Sequence, residues 1–176
     1  MLFRSKVDSE KNEILIDDST IKEGITFNSF EILNLLGIGS FGKVCKVRMK
    51  KTGKIYAMKI LNKNFLIKRK LLRNAITECN ILKKSSSPFI ISLHYAFQTL
   101  ENLYMIIDYC PGEDLDTLIQ IRFFEENEAK FYIAELILAI DYLHSNNILY
   151  RDLKPENILI NSDGHIKLDR KSTRLN

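Results

Sequence analysis

Between Phe30 and Leu61 the chain reads as three strand-like runs, FEILNLLGIGS, KVCKVRMK and KIYAMKIL. Only Gly39 to Gly42 and the bend Lys51-Thr52-Gly53 join them. Links this short allow antiparallel neighbours alone, because a parallel crossover needs a dozen or more residues. The chain is therefore committed early to an antiparallel meander. A helix is expected from about Leu66 to Lys84, where Leu72, Ile76, Cys79 and Leu82 recur at three- and four-residue spacing, and SSSP at 85–88 stops it. ISLHYAF and NLYMIIDY supply two further strands, so a small sheet packed on one helix closes an α+β lobe over residues 30–109.

Cys110 to Glu113, with Pro111 and Gly112, reads as a link into a second unit over 110–168. That unit opens with a short helix, Leu115 to Gln120, followed by a long one from about Glu126 to His144. NILI and HIKL flank Ser162-Asp163-Gly164, a strong hairpin signal. The long helix carries apolar residues on nearly every face, among them Phe131, Ile133, Leu136, Ile137, Leu138 and Leu143; such a helix needs burial on all sides, and with nothing after Leu168 to surround it, it is expected to be left short of packing partners. Residues 1–29 form a polar, acid-rich extension with one apolar run, Ile14 to Ile16, and no internal repeat is visible.

Charge excludes some functions. The 176 residues carry +4, of which Arg170, Lys171 and Arg174 against Asp169 contribute +2, so the remainder is nearly balanced and a nucleic-acid partner is not expected. Cys45, Cys79 and Cys110 are odd in number, widely spaced and without a C-x-x-C pair. That pattern fits a reducing compartment and buried apolar thiols better than disulfides or zinc. No stretch has the length of a secretory core or a membrane span, so a cytoplasmic location is expected, with nuclear entry open.

Three constellations carry chemistry. In GIGSFGKV, Gly37, Gly39 and Gly42 would let backbone N–H groups approach phosphate oxygens with no Cβ in the way. A dinucleotide fingerprint leads its glycines into a helix, whereas here they lead into an alternating strand. In YAMK, Ala57 and Lys59 share a strand face, so a small side chain that could floor an adenine pocket sits beside an amine that could reach phosphate. Glu78 on the following helix is a candidate partner for Lys59. In YRDLKPEN, Asp152, Lys154 and Asn157 place a carboxylate, a cation and an amide oxygen on one loop. Phosphoryl transfer asks for those three parts: a proton acceptor for the hydroxyl, a positive charge on the moving group, and a magnesium ligand.

The ordered set GxGxxGxV, AxK, a helix glutamate and RDLKPEN resembles the protein-kinase signature from Phe30 to Leu168. Lys154 two residues after Asp152 is similar to the serine/threonine class. Tyr150, GHIKL and LYMIIDYCPGEDL resemble the AGC group. The resemblance implies a bilobal α+β fold, with a complete β-rich small lobe and the start of a mainly helical large lobe. It implies ATP and Mg2+ as cofactors and a protein substrate.

It also assigns roles. The loop Gly37, Ile38, Gly39, Ser40, Phe41 and Gly42 would cover the ATP phosphates, and Lys59, held by Glu78, would bind the α- and β-phosphates. Val44, Ala57 and Leu159 would sandwich adenine, with the backbone of Asp108 and Cys110 offering it hydrogen bonds. Asp152 would be the base, Lys154 would neutralise the γ-phosphate, and Asn157 would bind magnesium. Asp114, or Glu113, would contact ribose and, with Glu156, an arginine ahead of the target Ser or Thr.

The ending departs from the family, because HIKL runs into Asp169, Arg170 and Lys171 and not into a small residue and Asp-Phe-Gly. The expectation is that residues 169–176 are a non-native tail, the conceptual translation of a sequencing adapter, that Asp169 has no metal role, and that the chain is a truncated and inactive kinase piece. A natural truncated pseudokinase serving as a nucleotide- or partner-binding module is the alternative.

Overall fold

The computed structural model describes residues 24–39 and 42–169. Most of the amino-terminal extension, the loop residues Ser40 and Phe41, and the tail beyond Asp169 lie outside the described residues. Two compact units are present, residues up to 80 with 93–108, and residues 81–92 with those from 109 onward.

The first unit is a five-stranded antiparallel sheet in the order β1-β2-β3-β5-β4. Its strands are β1 Phe30–Gly39, β2 Gly42–Met49, β3 Ile55–Asn62, β4 Leu93–Gln98 and β5 Asn102–Ile107. Period-two alternation sorts its side chains. Cys45, Val47, Met49, Tyr56, Met58, Ile60, Tyr104 and Ile106 gather with Phe30 and Phe97 in one apolar cluster. Phe97 stacks on Tyr104 at 4.9 Å between ring centroids and on Phe30 at 6.1 Å, contacts of the kind that add to simple burial. Ala57 and Lys59 are thereby left to the opposite face, as the strand reading requires.

The helical stretch after β3 is two helices and not one. Asn62 caps α1, Lys63–Lys68, by accepting the Phe65 N–H at 3.0 Å. Lys70 then takes a left-handed φ of 57°, with the Lys70 N–H donating to the Ile67 carbonyl and the Leu71 N–H to the Leu66 carbonyl. This paired closure ends a helix even where the apolar spacing continues. The next helix, α2, restarts at Leu72 and runs to Lys84, burying Ala75, Cys79 and Leu82.

The second unit contains α3, Leu115–Ile121, α4, Glu126–Ser145, and the hairpin β6 Ile158–Ile160 with β7 Ile166–Leu168. The same left-handed closure, now with Asn147 at φ 58°, ends α4. Ile91, expected to begin a strand of the first sheet, instead belongs to the second unit. Its N–H donates to the Leu168 carbonyl at 3.2 Å, while the Leu168 N–H donates to Phe89 at 2.8 Å.

Residues 112–114 run alongside β6. The Gly112 N–H donates to Ile160, Ile160 returns a bond to Glu113, and Asp114 bridges Leu159. A Cβ at Gly112 would lie 2.6 Å from the Ile160 carbonyl oxygen, so this close approach admits only glycine.

The long helix is covered on one side only, as expected of an apolar helix short of packing partners. Glu135, Ala139 and Leu143 form the covered i, i+4 line, whereas Phe131, Ile133, Ile137 and Leu138 are exposed among the described residues. The β6–β7 hairpin is wide enough to cover one line of a helix, and apolar content by itself does not supply the other partners. No helix among the described residues is long and apolar enough to cross a membrane.

Candidate active site

The first unit brings together residues expected to meet phosphate. Antiparallel register aligns Gly37 with Val44, and Val44 with Lys59, so a glycine, a β-branched side chain and an amine lie in one row across three strands. Ala57 follows on the same face two residues along β3. The Lys59 Nζ donates to Glu78 Oε1 at 2.6 Å, with 14% and 4% of the two side chains exposed. A charge-assisted bond in so dry a setting fixes both groups, since either charge alone would be expensive there.

The glycines serve different ends. A Cβ on Gly42 would stand 1.9 Å from the Ile60 carbonyl oxygen, so that glycine is demanded by the packing of β2 on β3. A Cβ on Gly37 would meet nothing within 4 Å, and one on Gly39 only the Gly42 oxygen at 3.9 Å. Neither has a positive φ. Within the described residues the fold gives no reason for glycine at 37 or 39, and the open space above their backbone suits a ligand that must come close.

Asp108 closes the set's far end, with Oδ1 2.7 Å from Nε2 of His94. His94 in turn lies against the Tyr56 ring at 4.9 Å.

The second unit carries the residues expected to meet the acceptor hydroxyl. Arg151 adopts a left-handed φ of 49°, a conformation that costs a non-glycine residue energy and is found where a loop is held for a purpose. Asp152 follows, exposed to solvent. Pro155–Asn157 is one 3₁₀ turn, and its last residue is completely buried. The Asn157 amide Nδ2 donates to the Asp152 backbone oxygen at 2.8 Å and to the Asp152 carboxylate at 3.0 Å.

With the amide nitrogen so committed, Asn157 Oδ1 is left as a buried acceptor without a hydrogen-bond partner among the described residues. An orphaned oxygen beside a carboxylate fits a hard divalent cation, which takes oxygen ligands only. Lys154, half exposed, lies 3.7 Å from Glu156.

The surroundings of this loop are more tightly built than the sequence indicated. Tyr150 is buried and its hydroxyl donates to the Asp169 carbonyl, while the Asp169 N–H donates to the Asn157 carbonyl at 2.8 Å. Asp169 thus holds the loop through its backbone. On α4, the buried Glu135 accepts the Ile166 N–H at 2.9 Å and a bond from His165 Nδ1, tying the start of β7 to the helix. That hydrogen bond raises the His165 pKa above its ordinary value. The one signal for Glu135 in the sequence is an acid inside the apolar stretch FYIAELILAI.

Cys110 is half buried and Leu159 lies on β6. Asp114 caps α3, its Oδ1 accepting from the Thr117 N–H at 2.9 Å and from the Thr117 hydroxyl at 3.1 Å. This helix-capping duty was not read from the sequence, although Asp-x-x-Thr ahead of an apolar run is a legible start signal.

The protein kinase domain profile matches residues 30–169. Protein kinase 3 of Dictyostelium discoideum is 49% identical over 168 residues, which is 95% of this chain and 18% of that protein. Serine/threonine-protein kinase SCH9 of Candida albicans is 47% identical over 155 residues, 86% of this chain and 20% of the relative. RAC-beta serine/threonine-protein kinase of Rattus norvegicus is 44% identical over 161 residues, 91% of this chain and 33% of the relative. The chain therefore spans about a fifth to a third of the length of these relatives. With its glycine strand, its Lys59–Glu78 pair and its Asp152–Asn157 loop, it belongs to the protein kinase domain family, among serine/threonine kinases of the AGC type.

Proposed function

We propose that this chain carries the nucleotide-handling and hydroxyl-activating residues of a serine/threonine protein kinase that transfers the γ-phosphoryl group of ATP to a protein Ser or Thr. The observation that carries this reading is Asn157. Its amide nitrogen is spent on Asp152 and its oxygen is kept as a buried acceptor, which ties a metal-ligand atom to the carboxylate that would receive the hydroxyl proton.

In this reading the open backbone at Gly37 and Gly39 takes the phosphates, and Lys59, oriented by Glu78, binds the α- and β-phosphate oxygens. Val44, Ala57 and Leu159 contact the base. Asp152 orients the acceptor hydroxyl and takes its proton, and Lys154 supplies positive charge to the group in transit. Mg2+, held through Asn157 Oδ1, would neutralise phosphate charge when bound. Glu156 and the free oxygen edge of Asp114 favour an arginine on the substrate side of the target residue. Such an arginine would compete with Lys154 for Glu156.

Titration calorimetry of the chain with ATP, with and without Mg2+, tests the nucleotide part, and radiolabel transfer to an Arg-x-x-Ser peptide tests the chemistry. Magnesium-dependent binding that is lost in Lys59→Met and weakened in Asn157→Ala is expected. Absence of binding at millimolar ATP and Mg2+ would refute the assignment, and transfer to the peptide would overturn the expectation that this chain is inactive.

A further inference from the structure

The near-balance of the whole chain conceals two opposed charge distributions. The described residues of the first unit hold twelve Lys and Arg against four Asp and Glu, a net of +8, and those of the second hold seven against twelve, a net of −5. All twelve described cations of the first unit fall between Ile32 and Thr77, a stretch with no acid at all. Screening at physiological salt limits each charge to about 8 Å, so a partner touching the first unit meets its local charge and not the chain average.

One end of this unit concentrates the effect. The register pairs Gly39 with Gly42, Gly42 with Leu61 and Asn62 with Asn102, which brings four strand termini to the same edge. Exposed Lys43 is the next residue on β2. The Lys63 N–H donates to the Glu101 carbonyl at 2.8 Å, so α1 starts at this edge as well. The helix is six residues long, about 9 Å, and delivers Lys68, Arg69 and Lys70 at its end, with Arg73 one turn on.

Lys43, Lys68, Arg69, Lys70 and Arg73 are all exposed, and none is in an ion pair among the described residues. In the β4–β5 turn of the same edge, Leu100 is 74% exposed.

We infer that this edge of the small unit is a docking surface for an anionic membrane leaflet. Four or more clustered Lys and Arg attract acidic headgroups additively, and the protruding aliphatic Leu100 can enter the interfacial layer. A nucleic acid would bind the same charge, but single strands are gripped by stacking on exposed aromatic rings. The strongly exposed apolar side chains described at this edge, Ile38 and Leu100, are both aliphatic. Net negative charge on the second unit is repelled by such a leaflet, so the attraction favours approach by this edge. Two aliphatic side chains are a small anchor, so binding is reversible and salt-sensitive.

The test is co-sedimentation of the chain with phosphatidylcholine vesicles containing 0 or 30% phosphatidylserine at 50 and 500 mM salt. Two triple variants are compared, K68Q/R69Q/K70Q at this edge and K50Q/K51Q/K54Q at the β2–β3 turn. They remove equal charge, but the β2–β3 turn is at the opposite end of the sheet.

Binding is expected only with phosphatidylserine and only at low salt. It should fall on the order of a hundredfold in the first variant and much less in the second. Leu100→Ser should weaken binding without changing its salt dependence. The inference is overturned if phosphatidylserine vesicles do not bind, if the two triple variants lose equally, or if a poly-uridine oligonucleotide binds more tightly at matched phosphate.

Discussion

Replacing Gly42 with alanine separates two roles that glycines of one loop play. The added Cβ would sit 1.9 Å from the Ile60 carbonyl oxygen, 2.9 Å from its carbonyl carbon and 3.1 Å from Leu61 Cα. Every one of these is backbone, so no side-chain rotation relieves the clash and β2 must move away from β3 where Gly42 faces Leu61. Insertions of this kind cost about 1–3 kcal/mol, and a backbone obstacle puts the cost at the upper end. At about 3 kcal/mol, site-resolved hydrogen exchange of globally protected β3 amides would speed up by roughly 150-fold.

Gly37→Ala is the matched control. Its Cβ meets nothing within 4 Å and its backbone is not left-handed, so protection should be unchanged or rise by about 0.4–1 kcal/mol through a less flexible unfolded chain. Nucleotide affinity should fall in Gly37→Ala all the same, because the new methyl occupies the space proposed for phosphate. Equal exchange rates in the two variants, or a Gly42→Ala change under about 0.5 kcal/mol, would refute the division of roles.

Glu78→Gln should destabilise the first unit by about 3–5 kcal/mol, since it strands the Lys59 ammonium at 14% exposure; urea denaturation followed by tyrosine signals from that unit checks this. Asn157→Asp places a second carboxylate against that of Asp152, now 3.0 Å from the amide. Like charges raise a carboxyl pKa, so the variant should be least stable at neutral pH, recover as pH falls through the carboxylate range, and gain more from added Mg2+ than the parent.

His165 has a folded pKa above its ordinary value because of its bond to Glu135. Its contribution is therefore complete below the unfolded value and is lost as pH rises through the folded one. Exchange at Ile166, corrected for intrinsic rate, should quicken across that window, and His165→Gln should abolish the dependence.

Order and type of the elements were legible because their causes are local. Alternation marked five strands, Gly53 and Asp163-Gly164 marked turns, and the candidate catalytic string was recognisable because Asp152, Lys154 and Asn157 are neighbours on one loop. The Lys59–Glu78 pair was also foreseeable, since a strand lysine and a helix acid 19 residues apart can be brought together by one turn of chain. The sequence by itself thus determined the α+β architecture and the family chemistry.

Other features depended on what lies across space. Lys70 broke a helix whose apolar spacing ran on, because carbonyls at Leu66 and Ile67 offered a closure that periodicity cannot reveal. Gly42 and Gly37 look alike in the string and differ only by the presence or absence of Ile60 overhead. Asn157 Oδ1 became an orphaned acceptor only when its nitrogen was spent on Asp152, and Asp114 turned out to be a helix cap. The apolar faces of α4 met a covering hairpin on one line alone. Local preference follows from each residue's own sterics and is written in the chain, whereas burial and hydrogen-bond satisfaction belong to pairs of distant groups and are settled only when the tertiary structure brings them together.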